Sequence, residues 1–396
     1  MHIDINSCFA TIEQQANPFL RNIPVAVAAY TTDRGCILAA SYSAKYLGVK
    51  TGMYVKDAKL LCPNIIVLSP DPPKYRFVHR KLKKILESYS SSVIPKSIDE
   101  FVVNFEGLPI LELKSMQTIA LEIKNRIKKE IGEYITVSIG IAPNRFLAKT
   151  AASYKKPDGL FEINNKNYLK IFESLKLTDL CGIKKGNALR LSMVNIFTVM
   201  DFYNADIQKL KLGFHSINGY YWHMRLHGYE TDDFEIIRKS FGNSYALPKQ
   251  YSDPKNIAPI LTKLIEKMSF RLRKRNYVAS GIHLGILFKD YSYWHKGLKL
   301  THSIFASSDF QKEIFKLLLS CPDSKPVKNL AVTCFNLQKK NSLQLNLIED
   351  VLKKENLTKA LDCLNNKYGE FTVIPARMMN NQNFVLDRIA FGVIDQ

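Results

Sequence analysis

Three carboxylates are the side chains of this sequence whose types and spacing point most directly to chemistry. Asp4 lies in the opening "HIDI", and Asp99 and Glu100 are adjacent in "SIDE". Carboxylates crowded together without a cation repel one another and are driven toward the protonated form, at a cost to folding. Hard divalent cations with oxygen ligands remove that conflict, and Mg²⁺ is the usual choice where phosphates supply further ligands. Two such ions ~4 Å apart can activate an attacking hydroxyl and stabilise the leaving oxygens of an in-line phosphoryl transfer. Taken singly, Asp4 reads equally well as a helix N-cap, and the Asp99–Glu100 pair as a solvated turn. Only their meeting makes a site.

That meeting needs a fold. Residues 1–5 read as a short strand. From Tyr75 the apolar positions Val78, Leu82, Ile85, Leu86 and Tyr89 recur at helical spacing. "SVIPK" and "FVVNF" read as two strands around "SIDE", and Ser115 as the N-cap of a helix with the stripe Ile119, Ile123, Ile127. "YITVSIGIA" is a further strand, and "PNRFLAKTAASY" starts a helix with Pro143 in its first turn. This is β-α-β-β-α-β with about sixty residues inserted after the first strand, the ferredoxin-like split βαβ order. A 4-1-3-2 sheet sets the end of strand 1 beside the start of strand 3, and so Asp4 beside Asp99 and Glu100. "NSYAL", a helix over 257–272, "SGIHLGILF", "LKLTHSIF", a helix after Asp309 and "VKNLAVTCFNL" repeat the pattern without an acid pair at the hairpin. The repeat therefore reads as a basic binding domain, and residues 164–230 between the two as small and helical. The fold class is α+β.

Composition sets the class of partner. With 396 residues the chain is long enough for two to four domains, and 46% apolar with 23% charged residues is ordinary for a soluble globular protein. No apolar run approaches the ~20 residues that span a bilayer, and no basic-then-apolar signal pattern opens the chain. Seven cysteines (Cys8, Cys36, Cys62, Cys181, Cys321, Cys334, Cys363) form no CxxC pair, which fits the cytoplasm and no disulfide framework or zinc site. Lys+Arg 56 against Asp+Glu 36 leaves +20, a charge suited to a polyanion such as nucleic acid. Clustered acids plus this charge point to nucleotidyl transfer on a nucleic-acid end.

At this point the motifs resemble a family. "IDINSCFATIE", "SIDE" and "SIGIAPNRFLAKTAASYKKPDGL" are similar to the three signature segments of the Y-family (translesion) DNA polymerases, on the DNA polymerase IV-like branch, in order and spacing from Met1 to about residue 340. The resemblance implies a right-hand polymerase with palm (1–12 and 73–163), fingers (13–72), thumb (164–230), linker (231–240), little finger (241–338) and a tail (339–396). It implies that Asp4 and Asp99 bridge two Mg²⁺ ions, that Glu100 binds the ion at the primer 3′-hydroxyl, and that the Ile5 carbonyl completes one coordination sphere. The amides of Asn6, Ser7, Cys8 and Phe9 would open a helix and offer donors and a positive dipole end to the triphosphate. Phe9 matches the steric gate, a flat aromatic that clashes with a ribose 2′-hydroxyl. "AASYSAKYLGVKTG" matches the segment that grips the phosphates with Tyr42 and Lys45, although the family usually has Arg where Lys45 stands. A guanidinium forks onto phosphate, whereas an ammonium is a point charge. Lys156 in "YKKPDG", with Lys155 beside it, matches a lysine that reaches the phosphates.

"LCGIKKGNALRL" resembles the helix-hairpin-helix that holds a DNA backbone phosphate, with Gly182, Lys184 and Gly186 at the hairpin. The usual pattern has Gly at the Lys184 position, and positive φ there would cost lysine about 1 kcal/mol. "RKSFGNSYAL" resembles the entry to the little finger, with Arg238 and Lys239 on DNA, and "FRLRKRNY" supplies Arg271, Arg273, Lys274 and Arg275 to the duplex backbone. Gln344, Leu347 and Ile348 in "LQLNLIED" look like the short peptide with which bacterial polymerases dock into the sliding clamp. The implied activity is template-directed DNA synthesis from dNTPs by a monomer, at low fidelity, without proofreading and across damaged templates. Two other readings stand beside it: a catalytically silent scaffold binding clamp and DNA, and a nucleotide cyclase, for which the hairpin and second basic domain are superfluous.

Overall fold

A computed structural model describes residues 1–233, 238–322, 324–340, 351–379 and 385. The chain divides into two units, Met1–Phe234 and Glu235–Asp387. In chain order the strands of the first are β1 (His2–Ile5), β2 (Val25–Ala28), β3 (Ile37–Ala40), β4 (Ile66–Leu68), β5 (Val93–Pro95), β6 (Glu100–Val103), β7 (Val137–Ile141) and β8 (Leu160–Glu162).

The acids' sheet has the order β5-β6-β1-β7-β8. Its first four members are the strands read from the sequence, in the expected 4-1-3-2 arrangement. β8 is an addition of three residues pairing parallel to β7, too short to show a period. Ile3, Phe101, Val103 and Ile139 pack against Val78, Leu82 and Ile85 of helix Pro72–Glu87 and Ile119, Ile123 and Ile127 of helix Met116–Glu130. Ser115 caps the second of these, its Oγ accepting from the Thr118 amide at 3.1 Å. The opposite face takes helix Arg145–Tyr154, capped by Asn144, so Pro143 precedes the cap and does not sit in the first turn as expected. A Cβ on Gly140 would overlap the Ala148 carbonyl and the Ala152 amide. Glycine on β7 thus lets this helix lie close over the sheet, and the helix carries Lys149.

The insert after β1 builds its own sheet, β3-β2-β4, over a core of Ala26, Ala28, Ile37, Ala40 and Val55. Sequence reading placed no strand order there. Short helices from Tyr168–Ser174 to Asn218–Leu226 close a separate core around Phe202 and Trp222.

The second unit contains β9 (Ser240–Tyr251), β10 (Tyr277–Phe288), β11 (Tyr293–Ile304) and β12 (Val327–Lys339), with helices Pro254–Lys274 and Ser307–Leu319. The element order repeats that of the first unit, but the sheet order is β11-β10-β12-β9. The two most apolar strands, β10 and β12, take the centre, while β11, mostly exposed and rich in Lys and His, takes an edge where its polar side chains stay hydrated.

Helix Val351–Tyr368 is tied to this unit by charge. Arg273 forks onto Asp362 at 2.7 Å through both nitrogens, Lys340 meets Glu355 at 2.8 Å and Lys354 meets Asp309 at 3.0 Å. Asp362→Ala strands a guanidinium that is only 13% exposed, and should cost the unit about 2 kcal/mol. Limited proteolysis should then cut this helix faster; unchanged resistance would mean that other contacts hold it.

Candidate active site

β1 and β6 run antiparallel with Asp4 directly opposite Glu100, and the Ile5 amide donates to the Asp99 carbonyl at 2.9 Å. Strand alternation puts His2, Asp4 and Glu100 on one face, the face under helix Arg145–Tyr154. From that helix Lys149 Nζ donates to both Glu100 oxygens, at 2.9 and 2.7 Å. Lys156 Nζ lies 2.7 Å from Asp4 Oδ2. The Asp99 carboxylate accepts from Ser97 Oγ.

Burial and charge pull these acids apart. Burial pushes the Asp4 carboxyl up to about 6, against the opposing Lys156 ammonium and with added repulsion from Glu100 and Asp99. Asp99 is likewise raised by burial, despite the Ser97 hydrogen bond. Burial would raise Glu100 too, but the hydrogen bond and charge of Lys149 outweigh it and hold the carboxyl below its ordinary value. His2 is pushed down to about 3, chiefly by burial, so its ring is neutral.

This donor set fits a divalent cation. Among the described residues one group could ligate an ion, His2, Asp4 and Glu100, with ligating atoms within 4.8 Å of one another. Asp99 is not part of it; its carboxylate accepts from Ser97 Oγ in the turn before β6. Asp4 and Glu100 meet as read from the sequence. His2, Lys149 and Ser97 were missed, although two of them stand two residues from an acid, His2 on the same strand and Ser97 in the same turn.

The chain leaves β1 through Ser7, a non-glycine residue at φ 49°, into helix Cys8–Ala16. Such a conformation stores about 1 kcal/mol or more of strain. Asn6 anchors the turn: its Nδ2 donates to Ser138 Oγ at 2.8 Å and its Oδ1 accepts from the Asp158 amide at 2.8 Å. Its own amide donates to the Thr136 carbonyl at 3.0 Å. That corrects the reading of Asn6 as a phosphate donor, and leaves Ser7, Cys8 and Phe9 at the helix start. Phe9 is 2% exposed and stacks on Tyr75, centroids 4.5 Å apart. Tyr75 Oη donates to Glu13 Oε1 at 2.8 Å, and Lys74 Nζ reaches Oε2 at 2.6 Å.

Tyr42 and Lys45 lie on helix Tyr42–Tyr46, with Lys45 Nζ 4.6 Å from the Tyr42 ring centroid. Burial, then the Asp4 charge, pushes Tyr42 up to about 12; burial, then the Lys156 charge, lowers Lys45. Tyr42, Lys45, Lys156 and Asp4 therefore share one electrostatic neighbourhood. Lys155 instead lies over Phe161, 5.2 Å from the ring centroid.

Comparison with known proteins agrees with this geometry. The impB/mucB/samB family matches residues 3–153, and its C-terminal domain matches residues 238–347. DNA polymerase IV 1 of Bacillus subtilis is 34% identical over 379 residues, covering 93% of this chain and 90% of that protein. DNA polymerase IV of Pelotomaculum thermopropionicum is 30% identical over 379 residues, covering 94% and 93%. A Y-family DNA polymerase chimera of Dbh and Dpo4 superposes with TM-score 0.74 at 26% identity, over 85% of this chain and 98% of that one. The chain belongs to the Y family of DNA polymerases, on the DNA polymerase IV branch. It is a DNA-directed DNA polymerase of the translesion class.

The polymerase's other expected contacts are placed less uniformly. Lys184 has φ −110° and ψ 179°, extended backbone, so the anticipated strain is absent. The left-handed position is Gly182, φ +88°, and Gly186 in the following helix has open space around it. Arg238 lies 4.8 Å from the Phe241 ring centroid, and Lys239 is exposed. Of the four basic residues at the end of helix Pro254–Lys274, Lys274 and the following Arg275 are exposed, and Arg271 donates to the Gly242 carbonyl. Arg273, bound to Asp362, the Phe305 carbonyl and Ser307, is corrected from DNA ligand to structural anchor. Gln344, Leu347 and Ile348 lie outside the described residues. Among the described residues no helix is long and apolar enough to cross a membrane.

Sequence reading also missed a surface. Ile282, Leu284 and Ile286 of β10 face the helices, so Gly281, His283 and Gly285 face the other way, beside Lys299, Gly297 and His295 of β11. That face carries His283, His295 and Lys299, with the rings of Phe335 and Tyr293 lying over Gly281 and Gly285.

Proposed function

We propose that this polymerase extends a DNA primer on a DNA template from dNTPs, releasing pyrophosphate, with Asp4, Asp99, Glu100 and the Ile5 carbonyl holding two Mg²⁺ ions. Bound there, such ions supply the charge that activates the 3′-hydroxyl and stabilises the leaving oxygens. The protein's own groups do the rest. Lys149 keeps Glu100 ionised, and Tyr42, Lys45 and Lys156 converge near Asp4, where a triphosphate needs cations and donors. Phe9, backed by Tyr75, closes the space under the incoming sugar. The meeting of Asp4 and Glu100 across β1 and β6, each with its own ammonium, carries this reading.

The acids' sheet is read as palm, the β3-β2-β4 insert as fingers, the short helices as thumb and the second unit as little finger. The hairpin at Gly182, the exposed Lys239, Lys274 and Arg275, and Lys299 with the histidines of β10 and β11 are read as holding DNA backbone. Gln344, Leu347 and Ile348 are read as the clamp peptide of a monomeric, cytoplasmic enzyme.

The test is extension of a labelled primer with all four dNTPs and Mg²⁺. Extension following the template and stopped by EDTA, then restored by excess Mg²⁺, is expected. Synthesis that persists in chelator would overturn the metal reading.

A further inference from the structure

Two histidines on the second unit's sheet stand close enough to act together. His283 of β10 and His295 of β11 lie on the face turned away from the helices, with His283 Nε2 3.3 Å from His295 Nδ1 and ring centroids 5.3 Å apart. Across the ladder each faces a glycine, His283 opposite Gly297 and His295 opposite Gly285. Tyr293 stacks on the His295 ring at 5.3 Å and 25°, which restricts its rotation. The gap between the two nitrogens is long for a hydrogen bond. It matches two ligands on one tetrahedral Zn²⁺, since nitrogens ~2.0 Å from such an ion stand roughly 3.3 Å apart. Burial, then the His295 charge, lowers the His283 pKa and favours its neutral ring, the form that ligates a metal. A neutral imidazole pair by itself has little charge with which to hold a phosphate.

We propose that His283 and His295 form a two-nitrogen site for a borderline dication such as Zn²⁺, whose remaining positions take oxygens of a DNA backbone phosphate. The pair supplies two protein ligands, where the group around Asp4 supplies three, so positions on the ion stay open for the phosphate. Imidazole selects first-row ions over Mg²⁺, which prefers oxygen ligands and keeps its water. The site therefore differs in chemistry from the acids of β1 and β6. An ion there adds positive charge beside Lys299 on the same face, charge that two neutral rings cannot supply. The bridge to DNA rests on the reading of this face as a backbone contact, whereas the metal site does not.

The experiment adds Zn²⁺ to the intact protein in excess Mg²⁺, first without DNA. With ¹⁵N-histidine labelling, two imidazoles should shift together, one through Nε2 and the other through Nδ1, a signature that no single histidine gives. His283→Asn and His295→Asn should each weaken Zn²⁺ binding about 10-fold or more, and the double substitution should add little, because one imidazole does not hold the ion. The wild-type spectrum needs no substitution, so it stands even if a variant folds poorly. Absence of that paired shift, or binding unchanged in both variants, overturns the proposal while leaving the DNA reading of the face intact. In the second arm, Zn²⁺ should tighten binding of primer-template severalfold in the wild type and in neither variant. Zn²⁺ held by the pair with no gain in DNA affinity overturns the bridge and removes these histidines from the DNA contact.

Discussion

Asp99→Ala and Asp4→Asn should each lower primer extension about 10³-fold or more, with binding of primer-template changed little. A metal ligand at a phosphoryl-transfer centre contributes several kcal/mol of transition-state stabilisation, and each 1.36 kcal/mol is a factor of ten. Asp4→Asn is the cleaner of the two because the effect on folding has the opposite sign. Burial raises the Asp4 carboxyl to about 6, so at neutral pH its ionised form is disfavoured by the fold and favoured by the unfolded chain. A neutral isostere relieves that burden, and Lys156, 31% exposed, can return to solvent. Thermal unfolding of the metal-free variant should therefore occur at the same or a higher temperature while activity is lost. Single-turnover extension and a melting curve on one preparation separate the two effects. Wild-type rates in either variant would remove these acids from the chemistry.

How far the site could be read from the sequence follows from the range of each interaction. The meeting of Asp4 and Glu100 was legible because period-2 and period-3.6 patterns give element order, and one βαββαβ topology then dictates which strand ends are neighbours. The same string did not give the second unit's sheet order, since two sheets with identical element order differ in which strands take the centre. There the decision lies in relative apolarity, as β10 and β12 against β11 show. Side-chain partners at long range were the least legible. Nothing near "FRLRKRNY" announces that Arg273 will be claimed by Asp362, 89 positions away, and nothing near "SIDE" points to Lys149. Lys184 shows a further limit: a motif's usual glycine does not by itself reveal the backbone, which is extended at Lys184 and left-handed at Gly182. His2 and Ser97, by contrast, were within reach: each is two residues from an acid.

Phe9→Ala should raise incorporation of ribonucleotides relative to deoxynucleotides by about 10²-fold or more, the range over which a pocket's shape discriminates one small group. The ring is 2% exposed and lies nearly parallel to Tyr75, interplanar angle 12°, so it cannot tilt away from a 2′-hydroxyl without breaking that stack. Removing it leaves a cavity against Tyr75, and a buried Phe→Ala change costs about 3–5 kcal/mol, so part of any activity loss will be instability. The ratio of ribo- to deoxynucleotide incorporation cancels that loss, because both substrates meet the same folded fraction. Phe9→Leu should give an intermediate ratio with less destabilisation. Tyr75→Phe keeps the stacked ring but removes the hydrogen bond to Glu13; it should cost about 1 kcal/mol of stability and leave sugar selection nearly unchanged. If selection instead collapses in Tyr75→Phe and survives in Phe9→Ala, the barrier to the ribose lies in the Glu13–Tyr75 contact, and Phe9 is a core residue and nothing more.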